Sequence, residues 1–195
     1  MEASRLPTIH VLAPIGVAPL FAPLLRQGVG VWVPGPRSVR DFLVEDMGLN
    51  FHYATHCVPG LFVNGVAVDD WEHTLVAPGD VVALSGTMPG LAGIALRRQS
   101  PLKSFRQDLT VPFRASESPA GTVLVRPFNF VAQDAALPLL ARGICLPGVG
   151  LAAFVAEREE ELRCCQVLPQ ERSLVDVASD WRQAEQLLLR VEWHE

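Results

Sequence analysis

The strongest structural signal in this chain of 195 residues is an Asn-Gly pair between two short apolar runs. Residues 61–63 and 66–68 flank Asn64-Gly65. Both central residues of a type I′ turn need a positive φ, which Asn and Gly adopt most easily. The pattern therefore predicts a two-residue β-hairpin.

The elements on either side of this hairpin also have clear sequence signals. Ser38 precedes apolar residues at helical spacing, and Asp41 and Gly48 stand where a helix cap and a helix end are expected. The Ala-Pro-Gly-Asp turn at 77–80 leads into an apolar strand at 81–85. The segment thus predicts a helix, a hairpin, a turn and a strand, in that order.

This order of elements resembles the small sulfur-carrier proteins of thiamin and molybdopterin synthesis, which are β-grasp (ubiquitin-like) domains. The matching pieces are the helix SVRDFLVEDMGL, the hairpin LFVNGVAV, the stretch WEHTLVAPGDVVALSG and the tail TMPGLAG. The resemblance covers about half of the chain. It implies an α+β fold whose N-terminal β-grasp domain extends over residues 1–95.

The amino-acid composition changes after this segment. Ser, Pro, Arg and Glu dominate from 99 to 121, which indicates a connector over 96–121 and a C-terminal α+β region over 122–195. No internal repeat of 20 to 50 residues is visible. The elements predicted outside the resemblance are strands at 9–12, 29–33, 122–125 and 128–131 and helices at 20–25, 134–142, 150–163 and 180–191.

Composition limits the partners that this chain can have. The formal net charge is −5, and the basic residues include a single lysine, Lys103; nucleic-acid binding depends on clustered Lys and Arg, so we expect no nucleic acid. Pro14, Pro19 and Pro23 interrupt the uncharged run at 8–25. An interior proline opposes a membrane-spanning helix, so we expect no membrane either.

The cysteines argue for a reducing, cytoplasmic compartment. Cys57, Cys145, Cys164 and Cys165 form neither a spaced disulfide framework nor a C-x-x-C motif. A plant-type iron–sulfur cluster on a β-grasp needs C-x₄-C-x₂-C spacing, whereas the N-terminal half holds only Cys57. We therefore expect no cofactor.

His52, His56 and Cys57 are the weak candidates for metal ligands. On a helix, histidines four residues apart could share a metal, and Cys145 or the 164–165 pair could complete a tetrahedral set. The segment lies between the predicted helix end and the predicted strand, so it is interpreted as a loop of partly buried polar residues. The metal site is the alternative.

Two further clusters of residues are interpreted as structural rather than catalytic. Asp69, Asp70, Glu72 and His73 follow the hairpin, where turn and cap roles for Asp are the common ones. The cysteines at 164–165 are expected to point to opposite faces of a strand as small packed residues.

The segment Met88-Pro89-Gly90-Leu91-Ala92-Gly93 is interpreted either as packing across the domain junction or as a strand-like docking segment for a partner. In the carrier proteins that it resembles, the tail ends in a free Gly-Gly carboxylate. Here there is no Gly-Gly pair and about a hundred residues follow. A carrier function would therefore need proteolysis near Gly90 or Gly93.

These observations favour a non-catalytic binding or adaptor protein that docks a protein partner through the β-grasp sheet or residues 88–93. No G-x-S-x-G, phosphate loop or dinucleotide fingerprint is present. One alternative is a sulfur-carrier or ubiquitin-like protein released by proteolysis. A second is a metal- or thiol-dependent enzyme that uses His52, His56 and the cysteines.

Overall fold

The computed structural model describes residues 6–86, 88–102, 104 and 119–195. Helices and strands are mixed along these residues, and they form one large mixed sheet and one small two-stranded sheet. The α+β class is therefore correct.

The strands are β1 (Thr8–Pro14), β2 (Val29–Val33), β3 (Arg37–Ser38), β4 (Gly60–Val63), β5 (Val66–Ala67), β6 (Leu75–Val76), β7 (Val81–Ser85), β8 (Gly121–Phe128), β9 (Ile144–Leu146), β10 (Gln166–Leu168), β11 (Arg172–Ser173) and β12 (Leu187–His194). The α-helices are α1 (Ala22–Gln27), α2 (Val39–Asp41), α3 (Phe51–Cys57), α4 (Gly90–Leu96), α5 (Val131–Asp134), α6 (Ala136–Arg142), α7 (Gly148–Ala156), α8 (Glu159–Leu162) and α9 (Leu174–Val177). A 3₁₀-helix (Ile15–Phe21) precedes α1, a short π-helix (Phe42–Asp46) continues α2, and a second 3₁₀-helix (Ala178–Trp181) follows α9.

The hairpin and the capped helix are confirmed. Asn64 and Gly65 have φ of 50° and 82° and join β4 to β5. The Ser38 hydroxyl accepts a hydrogen bond of 3.0 Å from the backbone N–H of Asp41. Local turn and cap chemistry thus acts here as the sequence predicts.

The large sheet has the order β11-β10-β1-β12-β9-β2-β8-β7-β4-β5. Its pairing pattern is the same when followed outward from the centre in either direction. In one direction, β2 pairs antiparallel with β8 and β8 pairs parallel with β7. β7 then pairs antiparallel with β4, and β4 pairs antiparallel with β5. In the other direction, β9 pairs antiparallel with β12 and β12 pairs parallel with β1. β1 then pairs antiparallel with β10, and β10 pairs antiparallel with β11.

A short sequence repeat accompanies this symmetry. Pro-Leu-Leu-x-x-Gly occurs at 23–28 and again at 138–143, each time at the end of a helix that leads into β2 or β9. The closing glycines, Gly28 and Gly143, have φ of 102° and 105°. This repeat is much shorter than the 20 to 50 residues of a repeat unit in a repeat protein.

The two halves of the sheet exchange strands. β1, from the N-terminal part of the chain, pairs with β12 and β10, and β8, from the C-terminal part, pairs with β2 and β7. The segments predicted as separate domains at 1–95 and 122–195 therefore contribute to one continuous sheet.

The predicted helix at 180–191 is wrong. The structure has a 3₁₀-helix (Ala178–Trp181) and then β12. Leu187, Leu189 and Val191 are buried in alternation, which is the two-residue period of a strand. The segment is a strand rather than a helix because it pairs with both β1 and β9.

The predicted strand at 128–131 is also wrong, because β8 ends at Phe128 and α5 begins at Val131. Asn129 has a φ of 55°, which stops the strand there. Residues 150–163 are helical as predicted, but α7 and α8 divide them.

The core lies on one face of the large sheet. Val123 and Val125 of β8 are fully buried, and they form one apolar cluster with leucines of the helices, such as Leu25 and Leu139. The alternate side chains point to the other face, which we call the open face. Its exposed members include Thr8, His10, Trp32, Thr122, Arg126, Phe128, Arg190 and Glu192.

Candidate docking surface

Four large apolar side chains are exposed around the ends of β7 and β8. The exposed fractions are 72% for Leu91, 41% for Ile94, 42% for Phe128 and 39% for Phe130. We call these four residues the apolar patch. Exposed apolar side chains mark interaction sites when they form a large contiguous surface.

The helix α4 presents Leu91 and Ile94. The strand-like alternative for residues 88–93 is wrong, because Gly90–Leu96 is helical after Pro89. A β-carbon at Gly93 would overlap the backbone of Met88, so the helix packs closely against the chain that leads into it. Leu91 and Ile94 are three residues apart and therefore lie on the same side of α4.

Met88 places α4 beside the open face. A β-carbon at Gly60 would lie 2.9 Å from the Met88 Sδ, so this side chain occupies the space that Gly60 leaves. Gly60 is paired with Ser85, and Ser85 with Phe128. Paired residues of adjacent strands point to the same face, so Met88 and Phe128 lie on one side of the sheet.

The corner from Phe128 to Phe130 is held by contacts with β7 and α1. The Phe130 ring packs on Gly86. The Asn129 side chain donates a hydrogen bond of 3.3 Å to the Ser85 hydroxyl, and Arg26 donates one of 3.2 Å to the Asn129 carbonyl. The two phenylalanines are thus presented by a fixed turn.

A shallow trough of about 490 Å³ lies on the open face near the centre of the sheet. Gly28, Gly30, Leu124 and Cys145 are among its lining residues, and a β-carbon at Gly30 would lie 3.0 Å from that of Cys145. Burial raises the pKa of the Cys145 thiol, so it stays protonated near neutral pH. This thiol is therefore an unreactive part of a lining that also contains Asp80 and Thr122.

His52 and His56 lie on α3, and the expectation of a loop is wrong. Asn50 starts this helix, because its side-chain oxygen accepts hydrogen bonds from the backbone N–H groups of His52 and Tyr53 at 2.9 and 3.2 Å. The imidazole rings stack with centroids 4.1 Å apart. Asn50 was the available signal for the helix.

The tetrahedral metal set that sequence suggested is not assembled. In the part of the chain that the structure describes, no three His, Cys, Asp or Glu side chains are grouped so that they could hold a metal ion. The stacked pair stands alone as a potential chelate, with Cys57 half-buried beside it in the chain.

The cysteine pair does not lie in a strand. Cys164 and Cys165 form the turn before β10; Cys164 is exposed and Cys165 is buried. Burial raises the pKa of Cys165 to about 12, which leaves it a protonated, packed side chain. All four cysteines are free thiols.

The turn role predicted for Asp70 is confirmed. Its carboxylate accepts hydrogen bonds from the backbone N–H groups of Glu72 and His73 at 3.1 and 3.0 Å. The bond from the His73 backbone is the main reason why the pKa of Asp70 is lowered.

Comparisons with protein-family models, with curated proteins and with solved structures gave no match to this chain. Among the described residues, no helix combines the length and the apolar character that crossing a bilayer requires.

The apolar patch was only partly visible in the sequence. Leu91 was among the candidates, but Ile94, Phe128 and Phe130 were not. The signal that was available is the Phe-Asn-Phe order at 128–130, in which an Asn at positive φ turns two aromatic side chains outward.

Proposed function

We propose that this chain is a non-catalytic binding protein that docks a protein partner on the open face of the sheet, beside the apolar patch. The observation that carries the proposal is the exposure of Leu91, Phe128 and Phe130 on a framework held by buried backbone contacts. Exposed aromatic side chains such as Phe128 and Phe130 belong to the residue types that are enriched in protein interfaces.

The size of the open face suits a protein rather than a small molecule. Strands lie about 4.8 Å apart and rise about 3.3 Å per residue, so ten short strands present a face of roughly 700 Å². A stable protein complex buries about 800 Å² on each partner. The face alone is therefore close to the area that one partner needs.

The charges of the open face also favour a protein. Arg126, Arg190 and Glu192 are exposed there, so both signs are present. A nucleic-acid surface would instead concentrate basic residues. Mixed charges around an apolar centre are the common composition of a protein–protein interface.

We also propose that the N-terminal half is β-grasp-like and that the protein works in the cytoplasm. The first proposal is supported by the order of α2, the β4–β5 hairpin and β7, with β8 completing that half of the sheet. The second is supported by the four free thiols, since a reducing compartment keeps cysteines unpaired.

Site-specific photo-crosslinking in the native cell tests the binding function. A photoreactive amino acid replaces Leu91 in one variant, Phe128 in a second and Val149 in a control. Val149 is 57% exposed on α7, in the helical layer, so it matches the test positions in exposure and apolar character.

We expect a discrete protein adduct of the same mass from positions 91 and 128 and none of that mass from position 149. Equal adducts from all three positions, or none from 91 and 128, would contradict the proposal.

A further inference from the structure

A second binding surface lies at the edge of the large sheet, away from the apolar patch. Among the described residues, β5 is the last strand in the order and pairs only with β4, while β6 pairs only with β3 in the small sheet. Between them lies a groove of about 590 Å³. Its lining residues are Val63, Val66, Ala67, Val68, Asp69, Asp70, His73, Thr74 and Leu75.

The backbone of Ala67 faces outward at this edge. In a two-residue hairpin, Val63 and Val66 exchange the hydrogen bonds that close the turn, and Ala67 is therefore in a position that does not bond to β4. Val68 bonds back to the Leu61 carbonyl at 2.9 Å, as this alternation requires. Within the described residues, the N–H and C=O of Ala67 have no hydrogen-bond partner.

The groove has an apolar floor. Val63 is buried and Val66 is half-buried on the strand side, while Leu75, on the opposite wall, is 44% exposed. An apolar side chain that entered between them would cover Leu75 and remove apolar surface from water. A strand added next to β5 would place every second side chain in this position.

The rim of the groove is acidic. Asp69 and Asp70 lie next to each other, and Asp70 also pairs with the His73 ring at 3.0 Å. Side chains of Asp70 and His73 are 59% and 86% exposed. The exposed Asp70 carboxylate thus favours a basic ligand group.

We propose that this groove binds an extended peptide segment of a partner protein by strand addition to β5. The segment bonds to the N–H and C=O of Ala67 and places an apolar side chain against Leu75. A Lys or Arg of the segment lies beside Asp70. Backbone hydrogen bonds supply affinity in this mode, and the alternating side chains supply selectivity.

NMR titration of the full ¹⁵N-labelled chain tests the proposal. The probe is the blocked peptide KVTVRVK, and the controls are EVTVEVE and a KVTVRVK peptide with N-methylated valines. We expect the basic peptide to shift the amide signals of Ala67, Thr74 and Leu75. The acidic and N-methylated peptides should bind at least threefold more weakly, because they lose the charge match or the backbone donors.

Two variants separate the contributions of charge and apolar contact. Asp70→Asn keeps the side-chain oxygen that accepts hydrogen bonds from the backbone N–H groups of Glu72 and His73 but removes the charge. Leu75→Asp alters an exposed position. We expect each to weaken the basic peptide at least threefold, whereas Glu160→Gln with Glu161→Gln on α8 should have no effect.

Equal affinity for the basic and acidic peptides would overturn the proposal, as would amide shifts confined to the open face. The unbound spectrum of each variant shows whether it is folded. A Phe128→Asp variant separates this proposal from the proposed function: it should leave peptide binding unchanged even though it damages the apolar patch.

Discussion

The ring of Phe130 packs on Gly86 so closely that a β-carbon at position 86 would overlap the ring carbons. This contact joins the end of β7 to the turn that follows β8, and it positions one aromatic side chain of the apolar patch. The two residues therefore link the stability of the sheet to the geometry of the proposed docking surface.

Substituting Gly86→Ala should push Phe130 out of place. We expect the free energy of unfolding to fall by about 1 to 3 kcal/mol, as for other overpacked sites, measured by urea denaturation followed by circular dichroism. Gly16→Ala is the matched control, because no heavy atom lies within 4 Å of a β-carbon there. If both substitutions lowered the free energy of unfolding by the same amount, the contact with Phe130 would not explain the effect of Gly86→Ala.

The Asp46 carboxyl group gives a pH-dependent prediction. Burial raises its pKa to about 6, and the opposing attraction of Arg37, whose Nε lies 3.4 Å away, only partly offsets this. A carboxyl group whose pKa is higher in the folded state favours folding when it is protonated. Its contribution is therefore complete below pH 3.8 and is lost as the pH rises through about 6.

Asp46→Asn should remove this loss. After allowance for solvent screening, we expect the variant to gain about 1 kcal/mol at pH 7.5 relative to the wild type, and little or nothing at pH 4. Unfolding midpoints measured at both pH values check this. Glu160→Gln, at an exposed position, should show no such difference; a variant that is less stable than wild type at pH 7.5 would contradict the assignment.

The Tyr53 hydroxyl donates a hydrogen bond of 2.7 Å to Asp134 and so connects α3 to α5. Burial is the largest cause that raises the pKa of Tyr53 above its usual range, so the hydroxyl keeps its proton at neutral pH. We expect Tyr53→Phe to cost about 1.5 to 3 kcal/mol, the typical contribution of a hydrogen bond to a charged group.

A double-mutant cycle with Asp134→Ala, which removes the acceptor, measures this interaction directly. The two single variants should be non-additive by at least about 0.5 kcal/mol. Strict additivity would mean that the two side chains do not stabilise each other.

The carrier alternative is open to a mass measurement. Gly90 and Gly93 lie in α4, and Gly93 packs on the Met88 backbone, whereas proteases prefer exposed, extended loops. In native lysate, we expect no fragment that ends at Gly90 or Gly93. Detection of either fragment by intact-mass spectrometry would favour a processed carrier over the proposed binding function.

Local signals predicted local structure well. The Asn64-Gly65 turn and the Ser38 cap depend on a few adjacent residues, and both are present. The strand β12 shows the limit of this reasoning. Over a short segment, its leucines fit both the helical period and the two-residue period of a strand. The segment is a strand because it pairs with β1 and β9, which are distant in sequence.

The candidate surface was less predictable for a related reason. Phe128 and Met88 lie on the same side of the sheet only because β8 pairs with β7 and Gly60 leaves space for the methionine. Neither relation is local in sequence. The exchange of β1 and β8 between the halves of the sheet is equally invisible to a pattern that assigns each strand to its nearest neighbours.

The central claim is that the open face and the apolar patch bind one protein partner. The most direct measurement is the yield of the crosslinked adduct from position 91 with and without Phe128→Asp, at equal levels of folded protein. We predict at least a tenfold loss of the adduct, because a charge would be buried at the centre of the interface. An unchanged yield would show that the partner does not contact the open face, and would contradict the account.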